Sequence, residues 1–463
     1  MPRPRLCLLA LAVLAAPSPA LARPEAPAIL CATYPDAPAC RGRVAECTTC
    51  HVSTSPAVWN EFGLQIAAAL PDAPFVDVLG VTLYAIDDLD ADGDGVSNGD
   101  ELRLGTGPGD AADVWPYCAP PPSSGGAPVA EGYDFDAALR RVMILYCGRS
   151  PTYDERAAFG ADTAARDALY VRLHDALGAC LRSDYWRDEG LARLADPRIR
   201  PIEAVGIRSP VGIVIGDFDW DYNLFRYVLT GDRDARDLLL ADYHVEQALD
   251  GTLRPRTGTF DSPRGGSGGQ PLAVDRRAGM ITTQWFFAIN TMFSPLPRTT
   301  AAQAYRAYLG ADIARQQGLV PVPSEPRDVD DKGVRNATCA QCHSTLDPLS
   351  YVFAEYEGIA GARTGVYDPG RPRRLIDAWD DEQSFLFGEP VNSVREWADQ
   401  AVASDDFLRN LATMFFQHAF ERAPTPGEVP ALDEAWAAMP GDGYSANGLL
   451  HRLVDLPAFG GVQ

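Results

Sequence analysis

FDAALRRVMILYCGRSPTYDE, residues 135–155, joins an apolar run at three-to-four spacing to a P-T-x-x-E segment. The first pattern makes one face of an α-helix. The second predicts a helix start, with Thr152 as N-cap and Glu155 closing a capping box. The same order returns in FLRNLATMFFQHAFERAPTPGE (407–428), where Thr425 and Glu428 take those places. Arg149, Glu155, Phe159 and Trp186 precede Arg422, Glu428, Leu432 and Phe459 by 273 residues each, without a gap. Each copy therefore predicts a small helical hairpin. Cys147 and Cys180 align with Phe420 and Leu453, two apolar residues. If those positions meet across the hairpin, Cys147–Cys180 is a disulfide. Between the copies, DARDLLLADYHVEQAL (234–249) and TAAQAYRAYLGADIARQQG (300–318) carry helical periodicity, and VGIVIGDFDW (211–220) alone suggests a strand. The expected class is mainly α.

Residues 1–22, MPRPRLCLLALAVLAAPSPALA, have a basic start, a short apolar run and a small-residue ending, the layout of a secretory signal peptide. No later run is long enough to span a bilayer. The expected location is periplasmic or secreted, with Cys7 removed with the leader. A hydrophobic share of 46% supports buried cores, and the net charge of −23 argues against nucleic acid as partner. CAPPPSSGGAPVA (118–130) has linker composition. The expected organisation is a leader (1–22), an N-terminal module (23–118), a linker (119–130), a helical domain with the first repeat (131–330), and a C-terminal domain with the second (331–463).

CTTCH (47–51) and CAQCH (339–343) are C-x-x-C-H motifs. Two thiols at this spacing add to the haem vinyl groups, and the adjacent histidine becomes the proximal iron ligand. Zinc would need two further ligands at each site, and no second CxxC or H-x-x-x-H lies nearby. Cys47, Cys50, Cys339 and Cys342 are thus the expected attachment residues for two covalent haems, with His51 and His343 on the irons. An oxidising compartment favours disulfides among Cys31, Cys40, Cys118, Cys147 and Cys180, an odd number that leaves one unpaired. Residues 52–142 contain neither His nor Met, so the first haem has no local distal ligand of the usual kind. For the second, Met414 and His418 lie four apart on one helical face, with His174, His244, His451 and Met280 in reserve.

DADGDGVSNGDE (90–101) fits an EF-hand loop. Asp90, Asp92, Asp94, the Val96 carbonyl, Asn98 and Glu101 fall at positions 1, 3, 5, 7, 9 and 12, with Gly95 at the turn. The expected ion is one structural Ca²⁺.

The region 47–106, with CTTCH, NEFG and DADGDGVSNGDELRLGTGP, resembles bacterial extracytoplasmic modules that join a CxxCH to a calcium loop, and is similar to temptin-like domains. Over most of 135–460 the chain resembles planctomycete-type cytochrome c proteins. The likeness rests on CAQCHSTLDPLSYVFAEYEGIAGART (339–364), RRAGMITTQWF (276–286), DARDLLLADY (234–243) and LLHRLVDLPAF (449–459), with Leu346 and Ser350 departing from the family pattern. It implies a predominantly helical, exported c-type cytochrome with helical haem domains. The reading is a dihaem electron carrier with a calcium site and a redox partner protein. A peroxidase-like haem oxidoreductase and an exported calcium-binding interaction protein stand beside it.

Overall fold

The structure is a computed structural model. It describes residues 23, 25–35, 37–40, 45, 47–54, 57–71, 73–94, 96–104, 106–111, 129–160, 165–205, 215–260, 269–360 and 363–461. The expected leader, Cys118, Gly95 and all but the end of the linker lie outside these residues. The chain divides into two units, Met1–Ala119 and Pro120–Gln463.

The first unit contains α1 (Ala26–Thr33), a hairpin of β1 (His51–Thr54) and β2 (Ala57–Trp59), α2 (Glu61–Ala69), α3 (Phe75–Ala85) and α4 (Asn98–Leu104). Leu30, Tyr34, Phe62, Ile66, Leu83 and Leu102 meet in its core. A disulfide joins Cys31 to Cys40. The Tyr34 hydroxyl donates to Asp87 (2.7 Å), which also takes Arg103 (3.0 Å), so α1, α3 and α4 are tied at one carboxylate.

The second unit begins with the first repeat: α5 (Phe135–Cys147), α6 (Tyr153–Phe159), α7 (Arg166–Leu181) and α8 (Leu191–Ile199). Next come α9 (Asp219–Val228), α10 (Asp237–Leu240), the hairpin β3 (His244–Gln247) with β4 (Leu253–Arg256), α11 (Gln284–Asn290), α12 (Arg298–Leu309) and α13 (Ala337–Ser350). The unit closes with α14 (Arg371–Leu375), the hairpin β5 (Ser384–Leu386) with β6 (Glu389–Val391), and α15 (Val394–Ala403), α16 (Asp405–Phe420), α17 (Val429–Ala437) and α18 (Ala446–Val454). The class is mainly helical, as the periodicity predicts, and the three sheets found among the described residues have two strands each.

The repeat is present in three dimensions. In the first copy Arg149 grips Glu155 at 2.6 and 2.8 Å, and Glu155 accepts from Thr152 N at 2.7 Å. In the second, Arg422 grips Glu428 at 2.6 and 2.7 Å, and Glu428 accepts from Thr425 N at 2.8 Å. The Cys147–Cys180 disulfide is formed, with Cα atoms 4.7 Å apart, where the second copy has Phe420 and Leu453. The full capping box appears only at Thr152. At the second copy the helix starts late, at Val429. Gly427 is a poor helix former and Pro430 favours a first-turn position, which together move the start past Thr425.

The copies face each other. Tyr133 OH donates to the Val454 carbonyl (2.6 Å), Arg141 to the Ala458 carbonyl (2.8 Å), and His174 and His451 meet Nδ1 to Nδ1 at 2.7 Å. One continuous core runs from Val129 to Phe459. The boundary expected at residue 330 is therefore not a boundary between units, because the hairpins of the two copies share that core.

Two local expectations are corrected. Within 211–220, residues 211–214 lie outside the described residues and Asp219 and Trp220 open α9 rather than a strand. Asp217 accepts from the Asp219 amide (3.1 Å), a turn that feeds a helix. The helix expected across 234–249 stops at Leu240, and His244–Gln247 pairs as a strand. Asp250-Gly251, with Gly251 at φ +88°, supplies the hairpin turn. Among the described residues no helix is long and apolar enough to cross a membrane.

Candidate functional site

The second C-x-x-C-H lies on α13. Asn336 caps that helix by accepting from Cys339 N (3.1 Å). Spacings of three and four put Cys339, Cys342 and His343 on one face. Both cysteines are free, and Cys342 lies 3.6 Å from the Ile313 carbonyl. The helix is strapped by Val322 N donating to the Ser344 carbonyl (2.9 Å) and Val320 N to Thr345 Oγ1 (3.0 Å).

One turn beyond His343 stands Asp347, fully buried, with Oδ1 2.7 Å from His343 Nδ1. Arg298, the first residue of α12, donates to both Asp347 oxygens at 2.6 and 2.9 Å and to both Asp330 oxygens at 2.7 and 2.8 Å. Burial opposes the Arg298 charge, but the bonds to Asp347 and Asp330 outweigh it and raise its pKa above the ordinary value. A carboxylate so held can only accept, so His343 donates from Nδ1 and keeps its lone pair on Nε2. Metal-bound histidines need this arrangement: the far nitrogen is anchored, and the near one is free and correctly tautomeric.

The first C-x-x-C-H has a different setting. Cys47–Thr49 form one 3₁₀ turn, and His51 opens β1, its ring stacked on Trp59 at 4.5 Å and 26°. Asn60 N donates to the Cys50 carbonyl (3.1 Å), Asn60 Nδ2 donates to the Thr49 carbonyl (3.1 Å), and Asn60 Oδ1 caps α2 through Gly63 N (2.9 Å). A Cβ at position 63 would lie 2.2 Å from the Cys50 carbonyl oxygen, so only glycine permits this approach. Burial, helped by Cys47, pushes the Cys50 thiol up to about 12. His51 Nδ1 is buried without a hydrogen-bond partner. Both sites thus offer two unpaired thiols beside an imidazole, a donor set that fits a covalent haem. Only His343 is backed by a carboxylate.

In the same unit as CTTCH, the donor oxygens of Asp90, Asp92 and Asp94 lie within 4.8 Å of one another. Asx turns shape the loop: Asp90 accepts from Gly93 N (2.7 Å), Asp92 from Asp94 N (3.2 Å) and Asp94 from Val96 N (2.8 Å). Glu101 is fully buried, and its Oε2, like Asp92 Oδ2, has no hydrogen-bond partner. Burial, then the charges of Asp92, Asp94 and Asp90, push the Glu101 carboxyl up to about 8. A divalent cation among these oxygens would remove both the orphaned atoms and the repulsion. Asn98 is used otherwise than the loop register suggests. Its Oδ1 accepts from Ala91 N (3.1 Å), and its Nδ2 donates to Gln65 (2.5 Å) and the Ile86 carbonyl (2.8 Å).

The expected distal ligands lie on α16. Met414 is buried on α16, and His418 packs its ring against Tyr146 (5.9 Å) and Trp186 (5.6 Å) of the first repeat. Burial lowers the His418 pKa. Of the reserve set, His174 and His451 engage each other, Met280 is in the core, and His244 lines a cavity. Asp347 follows His343 at H-x-x-x-D spacing, a helical signal present in the sequence itself. Arg298 and Asp330 reach the site through tertiary packing and left no local signal.

Compared with known proteins, the chain matches no family model, no curated protein and no solved structure.

Proposed function

We propose that the chain is a c-type haem protein. More particularly, it is an exported dihaem electron carrier with a structural Ca²⁺ site, working with a redox partner protein. One observation carries the reading most. His343 presents Nε2 from an anchored ring, on the same helical face as two free thiols. Among the described cysteines only the two C-x-x-C pairs are free, and the remaining four form Cys31–Cys40 and Cys147–Cys180. In a chain that makes disulfides, thiols left free at C-x-x-C spacing beside a histidine suit thioether attachment. His343 and His51 would hold the irons, and Cys339, Cys342, Cys47 and Cys50 the porphyrins. The haems supply one-electron redox chemistry, while the chain sets their orientation and electron density.

The experiment is a reduced-minus-oxidised spectrum with a pyridine haemochromogen count on protein made with haem-attachment machinery. Two haems per chain are expected, with a c-type α-band. One haem, lost in Cys339→Ser, would leave the first motif without haem; none would end the reading.

The carboxylate behind His343 also favours the catalytic alternative, because a bonded Asp makes imidazole a stronger donor and stabilises ferric iron. Asp347→Asn is therefore expected to raise the midpoint potential of the second haem and leave the haem count unchanged. Potentiometric titration of single-haem variants measures it; an unchanged potential would show that Asp347 has only a packing role. A high-spin ferric spectrum that shifts with cyanide would favour peroxidase-like chemistry over electron transfer.

A further inference from the structure

Away from both cysteine–histidine sites, a narrow cavity opens between the start of α9, β3 and residues 279–284, with room for a solvent-sized occupant. It lies where two segments of the sequence resemblance, DARDLLLADY and RRAGMITTQWF, come together. Gly279 N donates to the Ala241 carbonyl (2.8 Å), and a Cβ on Gly279 would lie 2.2 Å from the Leu238 oxygen. His244 (7% exposed) and Asp221 (2% exposed) line the cavity. Both ring nitrogens of His244 and Oδ2 of Asp221 are buried without a hydrogen-bond partner.

Neutral imidazole carries one N–H and one lone pair. The Trp220 ring lies 5.5 Å away at 72° and offers neither ring nitrogen a hydrogen-bond partner. Among the described residues no donor meets the lone pair. Burial first, then the Arg277 charge, hold the His244 pKa down to about 4, so the lone pair stays available at neutral pH. Asp221 has no ion-pair partner among the described residues. Burial, and the charge of Asp217 on the same cavity wall, push its carboxyl up to about 8. Arg277 forms no ion pair with it, its guanidinium donating instead to the carbonyls of Leu272, Asp242 and Gly258. Thr283 Oγ1 donates to Asp221 Oδ1 (2.5 Å), which fixes the carboxylate and leaves Oδ2 as its free donor.

A buried lone pair and a buried carboxylate oxygen on one small cavity are each costly alone. A small Lewis-acidic cation satisfies both. Imidazole with carboxylate selects a first-row transition metal over Ca²⁺ or Mg²⁺, which prefer all-oxygen shells. We propose that His244 and Asp221 form a site for one divalent first-row transition-metal ion, with Asp217 as the neighbouring carboxylate and Thr283 orienting Asp221 from behind. Among the described residues only Asp90, Asp92 and Asp94 bring three donors within 4.8 Å, so this second site has two primary protein ligands and open positions. Open positions suit an exchangeable ion rather than a closed structural one.

The test uses the full mature protein, stripped with chelator and returned to excess CaCl₂ to saturate the loop at 90–101. Zinc is then titrated by calorimetry and counted by mass spectrometry after gel filtration. Wild type is expected to bind one zinc equivalent that both His244→Ala and Asp221→Asn lose or bind at least tenfold more weakly. Circular dichroism and calcium content should not change. A variant with Cys47, Cys50, Cys339 and Cys342 all replaced by serine should retain that equivalent, which separates it from thiolate binding. Asp221→Asn preserves side-chain volume and so keeps the test valid if His244→Ala misfolds. Equal zinc binding in wild type and both variants, or no zinc in wild type, would mean that the cavity holds only water and would overturn the proposal.

Discussion

Arg298→Ala is expected to destabilise the Pro120–Gln463 unit by about 3–5 kcal/mol, the cost of breaking a buried ion pair by removing one partner. Arg298 is the only cation bonded to both Asp330 and Asp347 among the described contacts, and the Asp347 side chain is wholly buried. Its removal leaves two carboxylates facing each other without the charge between them. Arg298→Lys should recover part of the loss, since an ammonium cannot make the bidentate bonds that the guanidinium makes to each carboxylate. Urea denaturation followed by far-ultraviolet circular dichroism measures both variants. A loss below about 1 kcal/mol for alanine, the level of an exposed pair, would show that solvent replaces the arginine. His343 should lose its anchor with it, so any bound haem should show a broadened low-temperature spectrum in the same variant.

Calcium is expected to stabilise the Met1–Ala119 unit by about 2.7 kcal/mol when present 100-fold above its dissociation constant. Glu101→Gln should abolish that gain. The pH dependence should disappear when the ion is bound. Without calcium, the folded-state pKa of Glu101 stands near 8 against an ordinary value of 4.5. A raised carboxyl contributes stability that is complete below about pH 4.5 and is lost as pH climbs toward 8. Asp92 is shifted in the same direction, by burial before the neighbouring charges. In chelator, therefore, melting temperature should fall from acid to mildly alkaline pH. With saturating calcium the carboxylates are ionised in the folded protein as in the unfolded chain, and melting temperature should stay nearly level over the same range. In chelator, Glu101→Gln should be flatter than wild type and at least as stable at pH 8. Parallel pH profiles with and without calcium would remove Glu101 from the site.

Much of this was legible in the chain because the decisive signals are local. The Thr152 capping box, the 273-residue repeat and the Cys147–Cys180 pairing follow from short spacings that the backbone turns directly into geometry. In the NEFG segment Asn60 caps α2 and Gly63 admits the Cys50 carbonyl. Local signals also misled. The 234–249 run has helical periodicity, but Asp250-Gly251 turns its second half back as a hairpin, so tertiary pairing won over period. The Asn98 side chain goes to Ala91, Gln65 and Ile86, contacts that a loop register cannot reveal. The Arg298–Asp347–His343 chain draws on residues far apart in sequence, and only its last link, four residues long, was readable.

The two hairpin copies solve one joining problem by different chemistry, covalent at Cys147–Cys180 and apolar at Phe420 and Leu453. That difference acquires meaning in time. A chain synthesised from its N-terminus delivers α5–α7 long before their counterpart. The early copy must persist before the partner surface it will pack against has been made. A bond that closes within 33 residues can hold it unaided, whereas the late copy arrives to find its template already built. Position in the queue, rather than position in the fold, decides which twin carries the staple.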